Sequence, residues 1–336
     1  MEEFSKKILT LKQETNQITV NPVLDAIDLK ECQDLESFYE TDSFIRKKIE
    51  NALKYLEGLN VAYDRKFNKV YEEYSEAMLY KMLKDKGISI KHIQENSHKT
   101  PDFNVRNNEN DKESFDINLE LKSLSFLDGN INYKNAQEEA LNAKAEFEKR
   151  SKTQKVAFCE FSVCPMNKNG HAPTVTELIQ YIINKIKQNI KKGQYEEKDT
   201  ILVIDTKQIG YGATWKNSSI AIYDDPLYNS KCSGVLWNIS FGKEGNLIYQ
   251  PIEFEGKSNI AGTLLKDGIL NEYPYISALI FICYENFINR KFVSFVRNSD
   301  SDKPFMNFLC SISDFINDDL NSYAFKILEK EYNKPN

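Results

Sequence analysis

The sequence predicts a mixed α/β protein, on three observations. Amphipathic helical stretches in the first quarter give way, after Gly87, to short runs of strand length. Helical and strand-like segments then alternate through the middle of the chain, the order expected when helices pack on a sheet. Finally, 336 residues with 41% hydrophobic content can bury a substantial core.

The elements follow in order. From about Leu35 to Leu59 the residues Phe38, Phe44, Ile45, Ile49, Leu53 and Leu56 form an apolar stripe and predict a helix. A second helix is predicted from Asn68 to Lys86, carrying Tyr71, Tyr74, Met78, Leu79, Met82 and Leu83 and stopped by Gly87. Strands are expected at Ser89 to Ile93, Asp102 to Arg106 and Ser114 to Leu124, with the polar run Asn107 to Lys112 as the turn between the last two. Beyond them, Asn135 to Arg150 reads as a helix, Val156 to Val163 as a buried strand, Val175 to Ile190 as a helix and Thr200 to Asp205 as a strand. Apolar runs continue at Gly234 to Phe241, Ile276 to Cys283 and Phe292 to Val296, the last two as a strand pair. Helical segments at Phe305 to Phe315 and Leu320 to Tyr332 close the chain. The expected organisation is an N-terminal helical extension over 1–66, an α/β domain over 67–300 and a C-terminal helical segment over 301–336.

Composition excludes several classes. The longest apolar stretch, Ile276 to Cys283, is far short of the ~20 residues of a membrane helix, and the acidic start Met1-Glu2-Glu3 lacks the form of a secretion signal. A soluble, cytoplasmic protein that does not engage a membrane is the expectation. Six cysteines without a CxxC pair and three histidines, His92, His98 and His171, without ligand spacing offer no zinc site or disulfide framework. A net charge of −6 argues against coating nucleic acid by overall attraction, so any such contact needs a local basic patch or a partner.

The chemistry concentrates in Thr100-Pro101-Asp102-Phe103 and Leu119-Glu120-Leu121-Lys122-Ser123. On a strand, alternation puts Glu120 and Lys122 on one face, with Leu119 and Leu121 on the other. An antiparallel pairing that sets Asp102 opposite Glu120 is centred on Asp111, inside the polar run already read as the turn. Two adjacent carboxylates repel unless a cation lies between them. Mg²⁺ is the natural occupant, since it binds through one or two carboxylates and completes its shell with water and phosphate oxygens; the Leu121 carbonyl offers another oxygen. Such a centre suits phosphodiester hydrolysis, with Lys122 orienting or deprotonating the attacking water or stabilising negative charge.

These residues resemble the PD-(D/E)xK nuclease superfamily over roughly Tyr71 to Val163. The resemblance implies a restriction-endonuclease-like fold, a mixed central β-sheet flanked by helices, here with additional N- and C-terminal helices. It also implies that Asp102 and Glu120 bind metal and that Lys122 is catalytic. Many members carry a further Glu on the helix before the PD strand; Glu76 matches best as a catalytic metal ligand, with Glu72 and Glu73 as competitors. Some branches place a Gln in the helix after ExK, a role open to Gln137. The segments at Gly234 to Trp237 and Ile276 to Phe281 look similar to C-terminal parts of restriction-like proteins from bacterial defence systems.

The function so implied is a Mg²⁺-dependent DNA endonuclease, with Mn²⁺ able to substitute, cutting duplex in bacterial defence against phage or foreign DNA. A homodimer would supply two centres for two strands, and a protein partner such as a helicase or sensor subunit would restrain the activity. One alternative is an inactive nuclease-fold subunit that binds such a partner; another is an RNA-cleaving nuclease. Outside the motif, His98 precedes the PD strand, Glu160 lies within an apolar run where a carboxylate must be paired or line a site, and Asp205 ends a strand, where an Asp commonly caps a turn. Lys185, Lys187, Lys191 and Lys192 form either a solvated helical face or a path for a phosphate backbone.

Overall fold

The computed structural model describes residues 3–16, 22–58, 66–94, 100–107, 115–124, 130–158, 174–195, 198–210, 222–225, 230–249, 260–285, 289–303 and 305–327. The chain forms two compact units. The first comprises Met1–Lys81, Ser125–Pro173 and Tyr211–Thr214; the second comprises Met82–Leu124, Thr174–Gly210 and Trp215–Asn336.

The first unit is helical. It holds α1 (Glu3–Asn16), α2 (Pro22–Ala26), α3 (Leu29–Glu36), α4 (Ser43–Leu56), most of α5 (Lys66–Asp85) and, later in the chain, α6 (Asn130–Ser151). Phe4, Ile8, Leu24, Ile27, Tyr71 and Tyr74 are fully buried at the centre of its core. The single helix expected from Leu35 to Leu59 is two helices, α3 and α4. The break is local chemistry: the Asp42 carboxylate accepts from the backbone of Phe44 (2.9 Å) and Ile45 (3.1 Å), so it caps a new helix where apolar spacing alone runs on. Glu36, at the end of α3, does the equivalent for α1. Its carboxylate accepts from the amides of Phe4 (2.6 Å) and Ser5 (3.2 Å) and from the Ser5 hydroxyl (2.7 Å). These amides belong to the first turn of α1, which has no intrahelical acceptors for them.

The second unit contains an eight-stranded mixed sheet. Its first strands are β1 (Ser89–His92), β2 (Phe103–Arg106), β3 (Asp116–Ser123) and β4 (Thr200–Asp205). α7 (Val175–Asn189) precedes β4 and α8 (Lys207–Gly210) follows it. Two short strands, β5 (Tyr223–Asp225) and β6 (Ser230–Cys232), pair with each other; next come α9 (Gly234–Phe241) and another small pair, β7 (Leu247–Tyr249) and β8 (Ile260–Thr263). α10 (Ile269–Glu272), β9 (Ala278–Glu285), β10 (Asn289–Val296), α11 (Phe305–Ile312), β11 (Phe315–Asn317) and β12 (Lys326–Ile327) complete the chain. The sheet order is β1-β2-β3-β4-β9-β10-β11-β12. β3, β4 and β9 run parallel and the antiparallel hairpin β2–β3 leads into them.

Burial explains this order. Every residue of β4, Thr-Ile-Leu-Val-Ile-Asp, is buried, as expected for an inner parallel strand covered on both faces. α7 presents Leu178, Ile179, Ile182, Ile183 and Ile186, all fully buried, and starts at a reciprocal capping box between Thr174 and Glu177. It packs on α9, whose eight residues are all buried. At the other end of the sheet, Gly87 takes φ +77° after α5, a conformation that lets the chain reverse directly into β1.

Two expected elements differ. The run Val156 to Val163 is not a strand where it is described: Val156 and Phe158 are 79% and 80% exposed, and 159–163 lie outside the described residues. The place beside β3 belongs to β4, whose β-branched residues Thr200, Ile201, Val203 and Ile204 suit a strand position. The closing helix expected from Leu320 to Tyr332 is replaced, as far as Ile327, by a turn and β12. Asn317 and Asp319 side chains accept from the amides of Asp319 and Asn321, and the Asn317 amide donates to the carbonyls of Ser322 and Ala324, so local side-chain bonds displace the helix. The expected C-terminal helical segment over 301–336 therefore retains α11 alone among its described residues, with β11 and β12 on the sheet. No helix of the described residues is long and apolar enough to cross a membrane.

The Glu36 bonds generate a stability prediction. Glu36→Ala leaves two helix-end amides without their acceptor and should lower unfolding free energy by about 1–3 kcal/mol, read from urea denaturation; an unchanged midpoint would show that water replaces the carboxylate.

Candidate metal centre

Pro101 has no amide proton, and β2 begins only at Phe103. Asp102 is nevertheless held on both sides: its amide donates to Leu119 O (3.1 Å) and its carbonyl accepts from Ile93 (2.9 Å). The ladder pairs Phe103 with Leu119 through to Arg106 with Asp116, and Asp102 stands one residue before it. Just before the first residue of β2 the Asp102 carboxylate substitutes for a backbone acceptor, taking the Leu121 amide at 2.7 Å. A strand residue sends its amide and carbonyl to the same side, so the Leu121 carbonyl also faces the Asp102 side of β3. The turn expected at Asn107 to Lys112 lies, from 108 on, outside the described residues.

Glu120 is 1% exposed, while Leu119 and Leu121 are buried on the opposite face of β3. One of its oxygens, Oε1, accepts from Gln194 Nε2 (2.6 Å) and from Lys122 Nζ, its neighbour on the same face. The other, Oε2, is buried and has no partner among the described residues. Burial raises the Glu120 pKa above the usual carboxylate range, and the charge and hydrogen bond of Lys122, the Gln194 bond and the charge of Lys191 offset it only in part. Lys122 keeps 19% of its side chain in contact with solvent.

Gln194 arrives on a single 3-10 turn, Lys192–Tyr195, fixed to the start of β4 by the Thr200 hydroxyl, which bonds Gln194 O (3.3 Å) and Lys198 O (3.0 Å). Its amide nitrogen also lies 3.4 Å from Thr100 O. Three further buried atoms of this group lack partners: Gln194 Oε1, the Thr100 hydroxyl and the Tyr195 hydroxyl. The Tyr195 phenol is held neutral, its pKa pushed up by burial and then by the Glu120 charge, with Asp102 adding to it. Its ring lies 5.6 Å from Tyr275, which lies 5.7 Å from Tyr273.

Asp102, Glu120 and Lys122 thus stand together on the β2–β3 pair, with the Leu121 backbone between them. Glu76 belongs to the first unit, on α5, where its carboxylate is 2.5 Å from Lys48; Glu73 is 3.1 Å from the same ammonium. Burial works against the Lys48 charge, and the two carboxylates outweigh it, so its pKa is raised. Glu72 pairs with Lys69 (2.6 Å). Asp205 is buried at the end of β4 and accepts the Lys207 amide (2.9 Å), a turn-capping role. Of the lysine group, Lys187 pairs with Glu272 and Lys185 lies over the Tyr181 ring. His98 and Glu160, and the side chain of Gln137, lie outside the described residues.

Sequence reasoning missed Gln194 and Tyr195. Gly193 marks a turn, but nothing in the order of residues says that this turn closes over a carboxylate 74 positions earlier. Among the described residues no group of three or more His, Cys, Asp or Glu could hold a metal ion, so the protein side chains offer two carboxylates and neutral oxygens. That set still fits Mg²⁺, which takes one or two carboxylates and fills its remaining positions from water and substrate. The unpartnered Glu120 Oε2 is the atom that asks for it. Comparison with family models, with curated proteins and with solved structures finds no match.

The raised Glu120 pKa fixes a pH dependence. A group whose pKa is higher in the folded state favours folding below its unfolded value, and that contribution is lost as pH rises through the folded value. With a chelator present, wild type should therefore lose stability relative to Glu120→Gln as pH rises from the ordinary glutamate range through the raised value. Parallel melting curves for the two proteins across that window would contradict the burial of a charged carboxylate at this position.

Proposed function

We propose that the chain is a divalent-metal-dependent nuclease of the PD-(D/E)xK type that hydrolyses phosphodiester bonds, with DNA as substrate. The observation that carries this reading is a buried carboxylate oxygen without a partner among the described residues, Glu120 Oε2, on the same strand face as Lys122 and between the two residues, Leu119 and Leu121, that Asp102 bonds. A carboxylate taken out of water and left half-satisfied is costly unless a ligand completes it. The antiparallel pair carrying both motifs, followed by a parallel strand in a mixed sheet with helices, supports a restriction-endonuclease-like reading of the fold.

On this reading Asp102, Glu120 and the Leu121 carbonyl hold Mg²⁺ or Mn²⁺. The bound ion supplies positive charge against the negative charge that builds on the phosphate under attack. Lys122, in contact with solvent, orients the attacking water or holds charge on a phosphate oxygen. The Thr100 and Tyr195 hydroxyls, buried and uncommitted, can donate to the same anion. With an overall charge of −6, approach to DNA depends on local cations or on a partner, which suits a restrained activity in defence against foreign DNA.

One observation favours the alternative of an inactive subunit that binds a partner protein: Lys122 bonds Glu120 directly, which satisfies the lysine without any metal. Cleavage assays on supercoiled plasmid, linear duplex, single-stranded DNA and RNA with Mg²⁺, Mn²⁺ or EDTA separate the two. Metal-dependent cutting is expected, reduced about 10²-fold or more in Lys122→Ala and abolished in Glu120→Ala. Absence of cutting on every polymer, together with absence of metal binding, would leave the subunit reading.

A further inference from the structure

We propose that Gln194 is a further ligand of the cation at this centre, giving its side-chain oxygen to the ion while its amide nitrogen fixes the Glu120 carboxylate; the inference rests on the metal-centre reading above. The orientation of the amide is decided by its neighbours. Nε2 faces two atoms that can only accept, Glu120 Oε1 at 2.6 Å and Thr100 O at 3.4 Å, so a flipped amide would set oxygen against oxygen. Oε1 must then be the atom that faces away from them, and it is buried with no partner on a residue only 7% exposed.

The donors around Glu120 are arranged the same way. Lys122 and Gln194 both bond Oε1, and Oε2 is left with none. The group therefore contains two buried oxygens, Glu120 Oε2 of the ionised carboxylate and Gln194 Oε1, that accept and that no donor among the described residues reaches. A hard cation satisfies oxygens of this kind, and amide carbonyls are among its ordinary ligands. The turn that carries Gln194 is pinned by Thr200 to the first residue of β4, so the amide is held by the sheet and is not left to a long side-chain search. One residue thus orients a ligand and acts as one, and it adds a neutral side-chain oxygen to the Asp102, Glu120, Leu121 and Glu76 donors that the sequence offered.

The test is calorimetric titration of the full chain with Mn²⁺ and Mg²⁺ for wild type, Glu120→Gln, Gln194→Met and Gln194→Glu, each first shown to melt cooperatively. Expected are loss of the site in Glu120→Gln, affinity weakened about tenfold or more in Gln194→Met, and affinity tighter than wild type in Gln194→Glu. A glutamine that only positions Glu120 gives a different pattern: Gln194→Glu then weakens binding, because the new carboxylate repels the one it once held. That result, or unchanged affinity in both Gln194 variants with Glu120→Gln still silent, overturns the inference and leaves the metal-centre reading standing. A wild type that binds neither ion overturns both. If Gln194→Met fails to fold, Gln194→Glu decides alone: binding tighter than wild type supports the ligand role, and equal or weaker binding overturns it.

Discussion

The candidate site depends on one constraint, the register between β2 and β3. It sets Phe103 against Leu119, and Asp102, one residue earlier, then reaches Leu119 O with its amide and the Leu121 amide with its carboxylate, on either side of Glu120. A slip of one residue would turn Glu120 and Lys122 to the face now held by Leu119 and Leu121, and would place those leucines in the polar group. Both faces of β3 are buried here, so such a slip would cost several kcal/mol of misplaced apolar and charged groups. The same register starts β2 at Phe103, and just before it a side chain takes the place of the backbone, the Asp102 carboxylate on the Leu121 amide. Chain geometry and candidate chemistry are therefore fixed by the same contacts.

That register is backed by the parallel strands. β3 lies against β4, which lies against β9, and the inner strand is buried along its whole length. Close-packed apolar layers allow little movement, so an acidic group on β3 keeps its place without a metal to organise it. The expense is electrostatic: Glu120 stays in a poorly solvated position with Lys122, Gln194 and Lys191 as incomplete compensation. Such a balance is characteristic of sites kept ready for a ligand, where a group is held in the geometry it needs rather than the one that stabilises it most.

Much of this was legible in the sequence, for identifiable reasons. Alternation along Leu119 to Ser123 gave the facing of Glu120 and Lys122, and the polar run at Asn107 to Lys112 gave the pairing, because both depend on local periodicity. What depends on long-range competition was not legible. Val156 to Val163 and Thr200 to Asp205 are both apolar runs of strand length, and only the packed sheet shows that the second lies beside β3. The division of Leu35 to Leu59 turns on one aspartate that caps, and the loss of the Leu320 helix turns on Asn317 and Asp319 bonding their own neighbours. Polar side chains decided these boundaries, and hydrophobic spacing is blind to them. Gln194 is the extreme case, since its partner Glu120 is distant in sequence and no motif joins them.

Glu76 shows how a resemblance and a local environment can pull apart. Its carboxylate shares the Lys48 ammonium with Glu73, and that ammonium is itself largely buried beside the Phe44 ring. Withdrawing Glu76 to serve a metal would leave Lys48 with less compensation in a place where burial already opposes its charge, a change of the kind that costs several kcal/mol when a buried pair is broken. A neutral glutamine carries no such attachment. Gln194 reaches Glu120 without abandoning an ion pair, its side-chain oxygen carries no charge, and its backbone is tied to β4. Glu76 is thus engaged with Lys48 in the first unit, and Gln194 with Glu120 in the second.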